Sequence, residues 1–309
     1  MTQAPFSEKI AVLAGGPSCE REVSLISGRS VHEALLALGQ PVLLVDAVGD
    51  FMEKLIKENI SLAFIALHGT FGEDGTVQRL LEKEGIAYTG PGPGVSERAF
   101  DKEISQGLFQ KEGICIPSFG VLRSVSEGLK KAPVDFPLVI KPAKSGSSVG
   151  VSILKDPSGY KKACEEAFGY SDTVIVESYI PGRELTVGIL GDEALPVVEV
   201  ISGREFYDYE AKYKDPATRY EFPARLTQAQ TKSVVAEAMK AYRAIHGEVM
   251  SRVDIILGRD GKPYVLEVNT IPGLTPKSLL PKAAYAAGIH FPELCARIIA
   301  LSMEKIRVP

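Results

Sequence analysis

Between Lys9 and Tyr88 short apolar runs alternate with helical patterns, which restricts the first part of the chain to a parallel sheet wrapped by helices. Lys9 to Ala14 (KIAVLA) reads as a buried strand, Gly15-Gly16-Pro17-Ser18 as a glycine turn, and Glu20 to Leu38 as a helix. Pro41 to Val45 gives a second strand, Phe51 to Glu58 a helix, and Leu62 to Leu67 a third strand ending in His68-Gly69. Thr76 to Glu84 is again helical and precedes Ala87-Tyr88. In sheets of this kind, ligands collect beyond the carboxyl ends of the strands. Glu20 and His68 both sit just beyond such ends, so each is a candidate. Glu20 equally suits a helix N-terminus through the macrodipole, and His68 equally suits a turn, so neither decides for function alone.

The Gly/Pro-rich stretch Gly90 to Gly94 reads as a linker, and Ser96 to Lys111 as one helix carrying Lys102. A second domain begins there. Phe136 to Lys141 is a strand, followed by the small-residue loop PAKSGSSVG, which Lys141 and Lys144 frame. Such a loop offers backbone N–H groups to anionic oxygens; the same composition also suits a mobile hairpin turn, but the lysines favour phosphate. It is not GxxxxGK[ST], which disfavours a P-loop nucleotidase. Val174 to Tyr179 is a strand with one acid, Glu177, and Leu185 to Ile189 is another, after Pro181-Gly182-Arg183-Glu184. A carboxylate at an apolar strand end suits ribose hydroxyls, a weak signal by itself. Leu195 to Ile201 is a strand, and the aromatic, irregular segment after it reads as a lid or a disordered loop. Thr227 to His246 is an amphipathic helix, and Pro292 to Ile306 a closing one.

Arg252 to Gly273 reads as a hairpin followed by a loop of small polar residues. Val253 to Leu257 and Tyr264 to Val268 are β-rich runs around the turn Gly258-Arg259-Asp260-Gly261. A turn centred on Arg259-Asp260 pairs Leu257 with Lys262, sets Asp254 opposite Val265 and Arg252 opposite Glu267, and implies a loop of even length. Paired residues share a face, so Arg252, Asp254, Glu267 and Asn269 project to one side. Two carboxylates and a carboxamide without His or Cys form a hard oxygen set suited to Mg²⁺ or Mn²⁺ with phosphate oxygens. A solvated hairpin face has the same alternation and is its usual fate on an antiparallel strand, so the hairpin alone favours that reading over a metal site.

At 309 residues, with 45% apolar residues, the chain can fill two or three cores. Its net charge of −4 supplies no basic field, so nucleic acid is not an expected partner. Cys19, Cys115, Cys164 and Cys295 are far apart with no CxxC, which suggests neither zinc nor a disulfide framework. The N-terminus lacks an apolar leader core, and no apolar run approaches the ~18 residues of a membrane span. A cytoplasmic protein without membrane partners is the expectation.

Gly15-Gly16 followed by Ser18, Glu20, Arg21, Glu22, Val23 and Ser24, together with LHGTFGEDGT, KPAKSGSSVG, FYDYEAKY, RVDIIL and LEVNTIPGLTPKSLLP, resembles the D-alanine–D-alanine ligases of the ATP-grasp superfamily. The ordered set spans nearly the whole chain. The resemblance implies an α/β fold of three domains: an N-terminal parallel α/β domain (1–95) and two α+β domains (96–184 and 185–309) that clasp ATP. It implies ligation of two D-alanine molecules through a D-alanyl phosphate for peptidoglycan precursors, with two Mg²⁺ or Mn²⁺ ions, in a homodimer. Carried over, Lys102 and Lys141 contact the ATP phosphates, Ser147 and Ser148 lie in the covering loop, and Glu177, Tyr179, Ile180 and Glu184 line the adenosine pocket. Asp254, Glu267 and Asn269 hold the metals. Glu20 and His68 receive the first D-alanine, and Ser278 and Leu279 place the second. Arg252 and the Gly273 N–H stabilise the oxyanion, Tyr213 joins Ser147 and Glu20 over the site, and Lys212 faces the transferred phosphate. Cys19, Lys277 and Thr70-Phe71 are departures that bear on fine substrate contacts. A regulatory protein with a dead ATP-grasp site is disfavoured by the intact hairpin residues, and a dehydrogenase by the lack of GxGxxG after the first strand.

Overall fold

A computed structural model of the chain describes residues 6–129, 131–202 and 218–307. Strands β1 (Ile10–Ala14), β2 (Val42–Asp46), β3 (Leu62–Ile65) and β4 (Ala87–Tyr88) form a parallel sheet in the order β2-β1-β3-β4. Helices α1 (Arg21–Ala37), α2 (Phe51–Lys57) and α3 (Thr76–Lys83) connect them. β1 is buried on both faces, as a strand covered from two sides must be. Ile10 and Val12 pack with Val31 and Leu35 of α1, whereas Ala11 and Leu13 pack with Leu55 and Leu81 of α2 and α3.

The segment expected as one helix, Ser96 to Lys111, is two: α4 (Pro93–Phe100) and α5 (Lys102–Lys111). Asp101 between them is extended (ψ 105°), and its carboxylate accepts the N–H groups of Glu103 and Ile104. An N-capping Asp starts a helix rather than continuing one, which puts Lys102 at the first position of α5. Pro93 and Gly94, read as linker, belong to α4.

Next comes an antiparallel sheet of β5 (Phe119–Leu122), β6 (Leu138–Pro142), β7 (Ser152–Leu154) and β8 (Val174–Ser178), in the order β5-β8-β6-β7. Short α6 (Val125–Gly128) and α7 (Tyr160–Phe168) accompany it. Leu138, Ile140, Val174 and Val176 form its core with α7. The alternate residues Val139, Lys141 and Glu177 therefore face the other way.

The last sheet contains β9 (Gly182–Leu190), β10 (Glu193–Ala194), β11 (Val198–Ile201), β12 (Arg219–Glu221), β13 (Met250–Gly258) and β14 (Pro263–Asn269). Its order is β12-β11-β9-β13-β14, with β10 on β9. α8 (Gln228–Ala244) starts at a capping box between Thr227 and Gln230 and covers Leu185, Val187, Val253 and Ile255. α9 (Leu279–Ala286) and α10 (Phe291–Arg307) close the chain. Leu280 and Ile298 from these helices share one core with Ile10, Phe64 and Val198, so the N-terminal sheet and the last sheet are packed together. Among the described residues no helix is long and apolar enough to cross a membrane.

The β13–β14 register differs from the expected one. Gly258 and Lys262 close a three-residue loop: the Gly261 N–H donates to Gly258 O at 2.9 Å, and the Gly258 N–H to Lys262 O at 2.9 Å. Gly261 holds φ +82°. That is a type I turn followed by a left-handed residue, which glycine adopts readily. Leu257 consequently pairs with Pro263, not Lys262, and this register continued without interruption would set Glu267 opposite Val253 on the core face. A bulge between Asp254 and Ile255 absorbs Leu266, after which Asp254 pairs with Glu267 and Arg252 with Asn269. The two irregularities cancel in parity. Arg252, Asp254, Glu267 and Asn269 do share one face, with Asp254 directly beside Glu267 rather than diagonal to it.

Candidate active site

Two adjoining cavities of about 290 and 370 Å³ lie where the three sheets meet. Every described residue to which the resemblance assigns a role lines one of them. Glu20, His68, Ser147, Arg252, Asn269, Gly273, Ser278 and Leu279 line the first. Lys141, Ser148, Glu177, Tyr179 and Ile180 line the second. Lys102, Glu184, Asp254 and Glu267 border both. Tyr213 and Lys212, with the aromatic stretch before Thr218, lie outside the described residues.

The first cavity opens at the carboxyl ends of β1 and β3. Glu20 precedes α1 without capping it through its side chain, and it is only 5% exposed. The Ser147 hydroxyl donates to its Oε1. Two glycines make room for this carboxylate: a Cβ on Gly69 would come within 2.5 Å of Glu20 Oε2, and one on Gly146 within 2.4 Å. Ser147 (φ +49°) and Ser148 (φ +59°) are both left-handed, a conformation that costs energy in residues bearing a Cβ. The small-residue loop thus reaches the N-terminal sheet in a conformation that local propensity does not favour.

His68 is held from both ring nitrogens. Nε2 lies 2.9 Å from Ser27 Oγ, and Nδ1 lies 3.4 Å from Glu73 Oε1. Burial pushes the Glu73 carboxyl up, while its bond to His68 pulls it down. Neither Ser27 nor Glu73 was evident from sequence as a partner. Glu73 stands in GEDG five residues after His68, within the return of one tight turn, which was the available signal. The unfamiliar Phe71 of this turn points away from the cavity, packing edge-on against Phe51 at 6.0 Å. Ser278, expected in a loop, occupies the N-cap position of α9, with its hydroxyl 2.9 Å from Thr275 Oγ1.

The hairpin face forms the wall between the cavities. Arg252 donates to both Asp254 oxygens at 2.8 and 2.7 Å, and the Thr186 hydroxyl donates to Asp254 Oδ1 at 2.7 Å. Thr186, missed from sequence, is paired with Asp254 across β9 and β13. Lys102 donates to Ser145 O at 2.7 Å and stands 3.2 Å from Glu267 Oε2, tying the small-residue loop to the hairpin. Asn269 Oδ1 is buried with no partner among the described residues. Among those residues no group of three His, Cys, Asp or Glu is arranged around a metal. The set on the hairpin is instead two carboxylates and a carboxamide oxygen, and the orphaned Asn269 oxygen is a donor without an assigned cation. Such hard oxygens fit a Mg²⁺-type ion.

The second cavity is an apolar slot between the two antiparallel sheets, with Val139, Ile153, Ile256 and Leu266 on its walls. At one side, Lys141 and Glu177, 6% and 4% exposed, form an ion pair of 2.7 Å. A flat apolar slot with charged groups at one rim and a cationic, glycine-lined loop at the other suits a nucleotide.

Comparison with known proteins agrees with this arrangement. The family model for the D-ala D-ala ligase C-terminus matches residues 108–300, and that for the N-terminus matches residues 45–91. D-alanine–D-alanine ligase of Citrifermentans bemidjiense is 47% identical over 299 residues, covering 97% of each chain. The solved structure of D-alanine–D-alanine ligase from Bacillus anthracis complexed with ATP superposes with a TM-score of 0.84 at 34% identity, covering 97% of this chain and 98% of that one. The VanG D-Ala:D-Ser ligase of Enterococcus faecalis gives 0.82 at 28% identity, covering 96% and 100%. With this fold, these cavities and matches along nearly its full length, the chain belongs to the D-alanine–D-alanine ligase family.

Proposed function

We propose that the protein joins two D-alanine molecules into D-alanyl-D-alanine, consuming ATP and releasing ADP and phosphate, in the supply of cell-wall precursors. The observation that carries this reading is the contact of Ser147 with Glu20. It puts the loop that would cover the transferred phosphate against the carboxylate that would hold the first substrate's ammonium.

A carboxylate does not condense with an amine unless one of its oxygens becomes a leaving group. The first D-alanine, held between Glu20 and His68, attacks the γ-phosphorus of ATP through a carboxylate oxygen, and the bond to ADP breaks. Lys102 and Lys141 offset the phosphate charge. Asp254, Glu267 and Asn269 would hold two Mg²⁺ or Mn²⁺ ions, whose bound charge would draw the phosphate oxygens together. Ser278 and Leu279, at the start of α9, set the carboxylate of the second D-alanine. Its amine, having lost a proton, attacks the acyl carbon. Arg252 and the Gly273 N–H are the donors for the resulting oxyanion, which collapses by expelling phosphate. Water must be kept from the acyl phosphate, a task for the covering loop and for the segment containing Tyr213 and Lys212.

The same reading takes residues 1–95, 96–184 and 185–309 as the three domains, the cytoplasm as the location and a homodimer as the working form. Phosphate release with D-alanine alone, and product analysis with D-serine or D-lactate in competition, test it. Dipeptide as the dominant product supports the reading. A dominant mixed dipeptide or depsipeptide would assign a different second substrate, and no D-alanine-dependent phosphate would reject it.

A further inference from the structure

Glu177 is expected in the adenosine pocket, and a buried residue behind it, Gln106, fixes how its carboxylate is aimed. Gln106 lies on α5, one turn beyond Lys102 and on the same buried face. It is fully buried, and its Nε2 donates to Glu177 Oε2 at 3.0 Å. Lys141 Nζ reaches that same oxygen at 2.7 Å. Both partners therefore engage one oxygen, and Oε1 is left for a ligand in the cavity that Glu177 lines.

A carboxylate can only accept, so the Gln106 amide must present its NH₂ to Glu177. This orientation leaves Gln106 Oε1 buried without a partner among the described residues. An apolar side chain of the same size would avoid that cost. The amide is therefore kept for its bond to Glu177, which both satisfies and orients that buried carboxylate. A second ammonium in its place would overcompensate the one negative charge that Lys141 already balances; the neutral amide donates without adding charge.

We propose that Gln106 is a positioning residue for nucleobase selection: by donating to Glu177 Oε2 beside Lys141, it aims Oε1 at the exocyclic amine of a 6-aminopurine. A 6-oxopurine presents a carbonyl oxygen at that place, and the aimed carboxylate repels it. The proposal rests on the reading of the second cavity as the nucleotide site.

The test compares ATP with ITP as phosphate donor, using D-alanine and full-length protein. In Gln106→Met, which keeps shape but loses the donor, KM for ATP should rise more than kcat falls. The ATP-over-ITP preference in kcat/KM should drop by about tenfold, while KM for D-alanine and the melting temperature stay near the parent's. Gln106→Asn, which keeps an amide too short to reach Glu177, should give the same shift if the Met variant does not fold. Glu177→Gln is the control for the cavity itself. A parental preference in the Gln106 variants with a lost preference in Glu177→Gln overturns the role of Gln106 and leaves the nucleotide reading standing. A parental preference in Glu177→Gln overturns the base-reading assignment and the proposal with it. An equal loss of kcat with both nucleotides, with a lowered melting temperature, makes Gln106 merely structural and also overturns it.

Discussion

Asp254 and Glu267 stand side by side on the hairpin, already engaged by Arg252 and Lys102. Changing Glu267 to Gln keeps shape but removes one of the negative charges proposed to hold the metal ions. Turnover is expected to fall by roughly a hundredfold or more, the scale on which charge stabilisation of a transferring phosphoryl group acts, with an unchanged melting curve. Turnover within a few-fold of the parent would show that the hairpin face is not a metal site. Lys282 gives a pH-dependent prediction. Its ammonium lies 4.4 Å from the centre of the Tyr220 ring, and burial, with Lys277 adding to it, lowers it from 10.5 to about 8. Below pH 8 both folded and unfolded chains carry this proton, and the cost of burying it is fully present. Between pH 8 and 10.5 only the unfolded chain holds it, so stability rises with pH. Lys282→Met should therefore raise the melting temperature more at pH 7 than at pH 10.5. An equal change at the two values would mean that the ammonium is not destabilised by burial.

At the scale of elements, the hairpin shows how sequence pattern can identify the right face through the wrong register. Alternation correctly grouped Arg252, Asp254, Glu267 and Asn269. An odd loop and a compensating bulge are invisible to it, because Gly258-Arg259-Asp260-Gly261 is compatible with several turn lengths. Gly261 is the residue that the three-residue loop requires, and a Cβ there meets nothing within 4 Å. Gly261→Ala should cost about 1–2 kcal/mol, purely from the left-handed backbone, and leave steady-state activity untouched. A stability change below a few tenths of this, measured by urea denaturation, would contradict the assigned turn. The strands and helices of the first ninety residues were legible because their hydrophobic periods are strong and their turns glycine-marked. The break at Asp101 was not, since Asp also occurs inside helices and its capping role appears only when its carboxylate meets the N–H groups of Glu103 and Ile104. β5, β7 and α7 escaped detection: β5 is interrupted by Gly120, β7 is only 3 residues long, and α7 buries only Tyr160, Ala163, Cys164 and Ala167, too weak an apolar stripe to stand out. Partners such as Ser27, Thr186 and Gln106 carry no motif, because each matters through a neighbour distant in sequence.

For the molecule as a whole, the site exists only where three sheets meet. Glu20 comes from the first, Ser147 from the loop of the second, and Asp254 and Glu267 from the third. The first and third share a core, whereas the second has a separate one built on α7. The assembly thus supplies a fixed floor and a distinct covering unit, an arrangement suited to closing over an intermediate that water would destroy. Activation of the carboxylate by phosphoryl transfer, before the amine attacks, leaves an isotopic trace. It is tested by running the reaction with ATP, Mg²⁺ and D-alanine carrying ¹⁸O in both carboxylate positions, followed by mass analysis of phosphate and dipeptide. One ¹⁸O is expected in each released phosphate, one retained in each new amide carbonyl, and one phosphate per dipeptide. Unlabelled phosphate, or phosphate released without dipeptide, would contradict it.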